Sequence, residues 1–434
     1  MPRFVLLDPS LVDFAGHHYE YARHVLGAAS QAGYRPCLVA NREFALRDET
    51  PWPIAADYKY GYWFHQGAPA WQRWIHACGA GSKTTIDRTL VWPLGNLPHK
   101  EVGNLPHDPA WVRLAKSAHA ALRRRQFIRD TRRALARLDV TAEDVIFAPS
   151  LSPVELAGIH QLLRTTPKWA AATWHLLLRR DVPSGHRLDA LRRSVAGLVG
   201  LRAPARVRFW TDSPDLTGAY QRATNCHFGT LPIPHTWEAP RAGSRCVDDC
   251  QVVYLGDARC EKGFHHLPAI VTALTDGADG RRRFAFRFQS HTTLPIAETE
   301  VLAARAQLAD STNRGVTLIE QPLESRAYRE LLAASHVTLL PYDAAAYAAR
   351  SSGVFAESLA AGVPVVVPAD TWMARELPAG AGRVYRRLTE VPALVRELAA
   401  DRERETNTNE TWSVAWRKRH NAARLVTLLR GVAA

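Results

Sequence analysis

The chain is expected to be an α/β protein with two parallel-sheet domains. Short apolar runs alternate with helical stretches along most of it, the pattern of parallel strands buried on both faces. With 434 residues, 47% hydrophobic and 22% charged, it has material for two cores. Leu231-Pro232-Ile233-Pro234 and the residues up to about Cys250 read as an exit and a linker, after which the alternation begins again at Gln251.

Phe4-Val5-Leu6-Leu7 is the first strand. A loop holding Gly16-His17-His18-Tyr19 leads into a helix to about Ala32, which Gly33 stops, and Pro36 to Ala40 is a second strand. From Trp52 to Trp111 the pattern is irregular and rich in rings, among them Tyr58, Tyr60, Tyr62, Trp63, Phe64, Trp71 and Trp74. Such rings stack on sugars or sit at membrane interfaces, but core contacts of short helices are the favoured reading. Within it, Gly79-Ala80-Gly81-Ser82-Lys83-Thr84 fails as a phosphate loop, because Ser82 stands where glycine precedes the lysine and no apolar strand leads in.

Arg113 to Arg137 is a basic helix with nine Lys or Arg and one acid. Leu114, Ala118, Leu122, Ile128, Leu135 and Leu138 fall roughly on one face, so the helix suits either the outside of a basic protein or an anionic bilayer. Asp144 to Ser150 is a strand ending in a turn, a helix follows to Leu163, and Lys168 to Trp174 is the next strand with His175 at its end, then Arg179 and Arg180. Val207 to Ser213 is a strand entering a capped helix.

In the second half, Gln251 to Leu255 is a strand running into Gly256-Asp257-Ala258-Arg259-Cys260-Glu261-Lys262-Gly263. Phe284 to Gln289 and Val316 to Glu320 are strands, Glu324 to Ala334 is a helix, and His336 to Pro341 is a further strand. Ser351-Ser352-Gly353 then opens a helix that Gly362 closes, and Val363 to Pro368 is a buried parallel strand. This helix starts at the carboxyl edge of the sheet, where ligands bind in open α/β folds. The backbone amides of Gly353, Val354 and Phe355 lack intrahelical partners and offer a seat for phosphate oxygens. The carboxylate of Glu357, just behind, suits the two hydroxyls of a ribose.

These residues resemble the donor site of the family-4 glycosyltransferases, retaining enzymes of the GT-B fold. Their signature is two glutamates separated by seven residues around a glycine-rich turn, followed by an apolar strand. Glu357 matches the second glutamate, and Ala360-Ala361-Gly362-Val363-Pro364-Val365-Val366 the segment after it, whereas the first glutamate falls on Ala349. Lys262-Gly263 matches the family's diphosphate-gripping pair. The family's preceding arginine is here Asp257, with Arg259 two residues on as a substitute.

The resemblance implies two Rossmann-like domains facing across a cleft, at 1–237 and 251–405, with a crossover helix at 413–429 returning to the first. It turns the loop with Gly16 and His17 toward the cleft, and it places His175 there too, while Pro149 stands where family members carry a histidine. The donor-site expectation comprises Gly16, Arg259, Lys262, Arg350, Ser351, Ser352, Gly353, Val354, Phe355 and Glu357, with His17, His175 and Lys262 as catalytic candidates. The alternative for His17 or His18 is a cap at the helix start.

The implied activity is transfer of a sugar from a nucleotide-sugar donor to a hydroxyl of a glycan, lipid-linked or small-molecule acceptor, with retention, no cofactor and no metal. A catalytically silent member binding a nucleotide or glycan is the alternative. The net charge of +13 calls for acidic partners, nucleotide phosphates or an anionic membrane, and no nucleic-acid motif is visible. The apolar opening is too short for a signal peptide and no run reaches about 18 apolar residues, so a cytoplasmic protein is expected, with peripheral contact at the inner membrane face as the use of the basic helix. Cys37, Cys78, Cys226, Cys246, Cys250 and Cys260 show no zinc-type spacing, and Cys246 and Cys250 read as exposed linker thiols.

Overall fold

The structure, a computed structural model, describes residues 1–12, 17–44, 51–59, 110–202, 206–235, 237, 249–276, 283–292, 298–401 and 408–431. The loop around Gly16, the rings from Tyr60 to Trp74, the Gly79 to Thr84 stretch, Cys78 and Cys246 lie outside these residues.

Two parallel sheets organise the chain. The first contains β1 (Arg3–Leu7), β2 (Arg35–Asn41), β3 (Ile54–Tyr58), β4 (Val145–Ala148), β5 (Thr173–Leu177), β6 (Arg206–Thr211) and β7 (Phe228–Thr230). Its order is β3-β2-β1-β4-β5-β6-β7. The second contains β8 (Asp249–Tyr254), β9 (Arg283–Gln289), β10 (Val316–Ile319), β11 (Val337–Leu339), β12 (Val365–Pro368) and β13 (Gly382–Tyr385), ordered β10-β9-β8-β11-β12-β13. Each order reverses once, between β1 and β4 and between β8 and β11. These are the switch points where loops diverge at the carboxyl edge and leave a crevice.

The strands are apolar on both faces, as buried parallel strands must be. In β1, Val5 and Leu7 pack with Phe127, Leu135 and Leu156, while Phe4 and Leu6 pack with Val25 and Leu26 of the first helix, His17–Gln31. That alternation is the period of two of an extended chain.

The end of the chain corrects one expectation. In place of one helix at 413–429 there are two, Thr408–Arg419 and Ala422–Arg430, because Asn421 caps the second by accepting the Arg424 amide at 2.8 Å. Trp412 and Trp416 of the former join the second core, whereas Leu425, Val426 and Leu429 of the latter join the first.

A second correction concerns β5. Thr166-Pro167 starts a helical turn, Pro167–Ala170, where a strand was expected, and the Trp174 indole donates to the Trp169 carbonyl at 2.8 Å. The strand therefore begins at Thr173 and runs through His175. Cys250 is another: it is buried in β8, not an exposed linker thiol.

The basic helix, Ala110–Arg137, lies against β3 and the Pro153–Thr165 helix. It buries Phe127, Ile128, Ala134 and Leu135 and ties Arg123 to Glu155 at 2.7 Å and Arg137 to Asp57. Leu122, expected on its apolar face, is 53% exposed. Among the described residues no helix is long and apolar enough to cross a membrane.

Candidate active site

The second domain's switch point is built by two glycine turns. After β8 the chain passes through Gly256 at φ 96°, whose amide donates to Gln289 Oε1 at 2.6 Å. A 3-10 turn, Cys260–Lys262, follows and ends at Gly263 with φ 70°. A Cβ on Gly263 would overlap the Pro341 carbonyl, so glycine lets this turn lie directly on the end of β11. That contact aims Lys262. A Cβ on Gly256 would lie 3.2 Å from Lys262 Nζ and 3.4 Å from Val354 Cγ2, so the ammonium sits beside the start of the Gly353–Ala360 helix. Burial, reinforced by Arg259 and Arg350, outweighs Asp257 and Glu261 and draws Lys262 down to about 8.

Ser352 caps that helix, its hydroxyl accepting the Phe355 amide at 3.3 Å. Of the three amides expected to be available, this removes Phe355. Those of Gly353 and Val354 have no acceptor among the described residues. Glu357 lies one turn on, 8% exposed, and its charge joins burial in raising Tyr328 above the ordinary phenol range.

Gly353 and Glu357 share a cavity of about 410 Å³, its open mouth included, with Glu20, Tyr21, His24, Arg179, Ile233, Pro234 and His235 of the first half of the chain. The two halves also touch directly. Ser213 Oγ donates to the Ala349 carbonyl at 2.6 Å, and Ser351 Oγ donates to Asp212 Oδ2 at 2.6 Å. Glu20 pairs with Arg329 at 3.7 Å. Burial alone would raise Glu20, but its bonds to His24 and Arg23 prevail and hold it at about 2. His235 is drawn down to about 4 by burial; its Nδ1 accepts the Trp237 amide at 3.1 Å.

The expected site residues separate accordingly. Lys262, Ser351, Ser352, Gly353, Val354, Phe355 and Glu357 gather at one switch point. Arg350 reaches the same edge, 3.5 Å from Glu261 and 4.7 Å above the Tyr347 ring. Arg259 is engaged by Asp257 and, at 3.5 Å, by Glu261. Gly16 lies outside the described residues, and of His17 only the backbone is described, at the start of the first helix.

His175 requires a correction. It lies within β5, fully buried, where its Nδ1 accepts the Trp210 indole N–H at 3.0 Å. Burial, with Arg208 nearby, pushes it down to about 3, so it is a neutral core residue and not a group in the cleft. The residue after β5 that does reach the cavity is Arg179. Glu20, Tyr21, His24 and Asp212 also gave no signal in sequence: Arg329 pairs with Glu20, Arg179 lies over Tyr21 and Ser351 bonds Asp212, each from more than a hundred residues away, while His24 meets the cavity through the packing of its helix beside Glu20.

No protein-family model matches the sequence, and no curated protein matches it either. Solved structures do. A sucrose-phosphate synthase from Thermosynechococcus elongatus aligns at 14% identity with TM-score 0.62, covering 100% of this chain and 99% of that one. A UDP-forming α,α-trehalose-phosphate synthase from Burkholderia xenovorans aligns at 12% with TM-score 0.64 over 100% of both chains. An α,α-trehalose-phosphate synthase from the same organism, in complex with glucose-6-phosphate, aligns at 13% with TM-score 0.63 over 99% of both. The chain has the GT-B fold. In this GT-B chain Ala349, on which the first signature glutamate falls by resemblance in sequence, packs against the first core and gives its carbonyl to Ser213.

Proposed function

We propose that the protein is a glycosyltransferase that moves a sugar from a nucleotide-sugar donor to a hydroxyl acceptor, with retention and without metal or cofactor. The observation that carries this is the convergence of the Lys262 ammonium, the amides of Gly353 and Val354 and the Glu357 carboxylate at the second switch point. Diphosphate on the amides and ammonium leaves the ribose within reach of Glu357.

The bond from the sugar carbon to the diphosphate breaks with its electron pair passing to the phosphate oxygen. The acceptor oxygen forms the new bond, and its proton passes to the departing phosphate or to water. Charge grows on the diphosphate, where fixed N–H groups and Lys262 stabilise it most. Retention is supported by the likeness to a trehalose-6-phosphate synthase described as transferring glycosyl groups with retention, and glucose-6-phosphate, bound by another such synthase, is the first acceptor to try.

Thermal unfolding of the native protein and Glu357→Ala against UDP, GDP, ADP and their sugar conjugates tests the site. A ligand at about a hundred times its Kd stabilises by roughly 2.7 kcal/mol, and Glu357→Ala is expected to lose most of that. Absence of any shift in the native protein sinks the reading. Ala349 favours a second reading, a binding protein without turnover, which predicts the same shift but no nucleotide release faster with acceptor than without.

A further inference from the structure

We propose that Arg179 is the first domain's oxyanion-binding residue, meeting a phosphate or carboxylate of the ligand across the cleft from the Gly353 helix. This rests on the glycosyltransferase reading of the cavity and adds a residue from the opposite domain.

Arg179 lines the cavity together with Gly353 and Glu357. Its Nε donates to Asp212 Oδ2 at 2.8 Å, and its guanidinium lies 5.2 Å over the Tyr21 ring. The same Asp212 oxygen accepts Ser351 Oγ at 2.6 Å, two residues before Gly353, so the guanidinium is held in register with the helix start. Its terminal nitrogens donate to no acceptor among the described residues. A guanidinium fixed at Nε presents those nitrogens as a fork that fits two oxygens of a phosphate or carboxylate. Asp212, 3% exposed, is the positioning residue. Arg259, in contrast, is occupied by Asp257 and Glu261.

The oxyanion comes either from the donor diphosphate or from a phosphate or carboxylate on one of the sugars. Isothermal titration of the full chain distinguishes them. The ligands are a nucleoside, its diphosphate, its neutral-hexose and uronic-acid conjugates, and glucose-6-phosphate. The proteins are native, Arg179→Lys, and Arg179→Met with Asp212→Asn, which leaves no unpaired buried carboxylate.

If the diphosphate is the source, the double variant binds it tenfold or more weakly while nucleoside binding is unchanged. If a sugar carries the oxyanion, only the uronic-acid conjugate or the hexose phosphate weakens tenfold. A double variant that melts cooperatively and binds every ligand as the native protein does overturns the inference. Should the double variant not fold, Arg179→Lys decides: loss of the fork must weaken the same ligand at least threefold, and native affinity overturns the proposal. A native protein that binds no nucleoside diphosphate removes the glycosyltransferase reading and this inference together, whereas binding untouched by either variant removes this inference alone.

Discussion

The two switch points share one topology but are furnished differently. The second is made largely of backbone: two left-handed glycines, a 3-10 turn, a serine cap and two helix amides within reach of Lys262. The first domain's side of the cavity is instead made of side chains gathered from distant elements, with Glu20 and Tyr21 from the first helix, and Arg179 after β5, which Asp212 after β6 holds. Backbone furniture depends on residue type at a fixed spacing. Side-chain furniture depends on the packing of the whole domain.

The sharpest way to break this contrast is to put a side chain where the second site needs none. In Gly263→Val the new Cβ meets the Pro341 carbonyl at φ 70°, so roughly 3 kcal/mol or more of stability should be lost. Urea unfolding measures it, and a loss below about 1 kcal/mol would mean that the turn does not rest on β11 as described.

Gly256→Ala is milder for the fold and aimed at function. Its Cβ enters the space between Lys262 Nζ and Val354 at φ 96°. Stability should fall by about 1–2 kcal/mol, while nucleoside diphosphate affinity falls tenfold or more because the ammonium is displaced. Equal affinity in calorimetry would separate Lys262 from the phosphate seat.

These two glycines also show why one site was legible and the other was not. Lys262-Gly263 and Ser352-Gly353 through Val367 carry their meaning locally, since a glycine turn and a capped helix before an apolar strand can be read within about twenty residues. Arg179 and Asp212 look like any surface arginine and helix-start aspartate until β5 and β6 are paired. His175 was misplaced for a related reason: a four-residue helical turn at Pro167 moved the strand's start, and a strand only five residues long turns a small boundary error into a change from edge to core. The single helix expected near the carboxyl terminus failed at Asn421, whose capping role depends on geometry that composition does not reveal.

The pH dependence of binding sharpens the comparison next. Lys262 titrates at about 8, against 10.5 ordinarily, so in the free protein its charge is lost as pH rises through 8. Nucleoside diphosphate affinity should therefore decline above that pH, approaching tenfold per unit, and Lys262→Arg should flatten the decline. The folded protein holds fewer protons at Lys262 than the unfolded chain between 8 and 10.5, so this group makes stability rise with pH in that window. An affinity profile that is flat from pH 7 to 10 would exclude Lys262 as the titrating cation.

His175 provides the corresponding test in the first domain. Its native value near 3 against 6.5 means that the unfolded chain binds a proton the native state refuses, so stability is lost as pH falls from 6.5 toward 3. His175→Gln keeps an acceptor for Trp210 and should make that acid loss shallower, although His235 and His420, also depressed, retain their share. Turnover should stay within about twofold of native, against the 10²-fold or greater loss expected for a general acid or base.

The smallest effect should come from the cleft's outer edge. Arg375 and Asp215 join the halves at 2.8 Å, but their side chains are 47% and 38% exposed, so water and salt screen the pair. Asp215→Asn should change stability by less than about 1 kcal/mol and leave the nucleotide-induced melting shift intact. Ser213→Ala removes instead a mostly buried contact with the Ala349 carbonyl and uncaps the Pro214–Thr224 helix, at about 1–2 kcal/mol. If the exposed aspartate proved the costlier of the two, the halves would be held by surface charge and not by the hydrogen bonds that bring Ala349 and Ser351 against the first sheet.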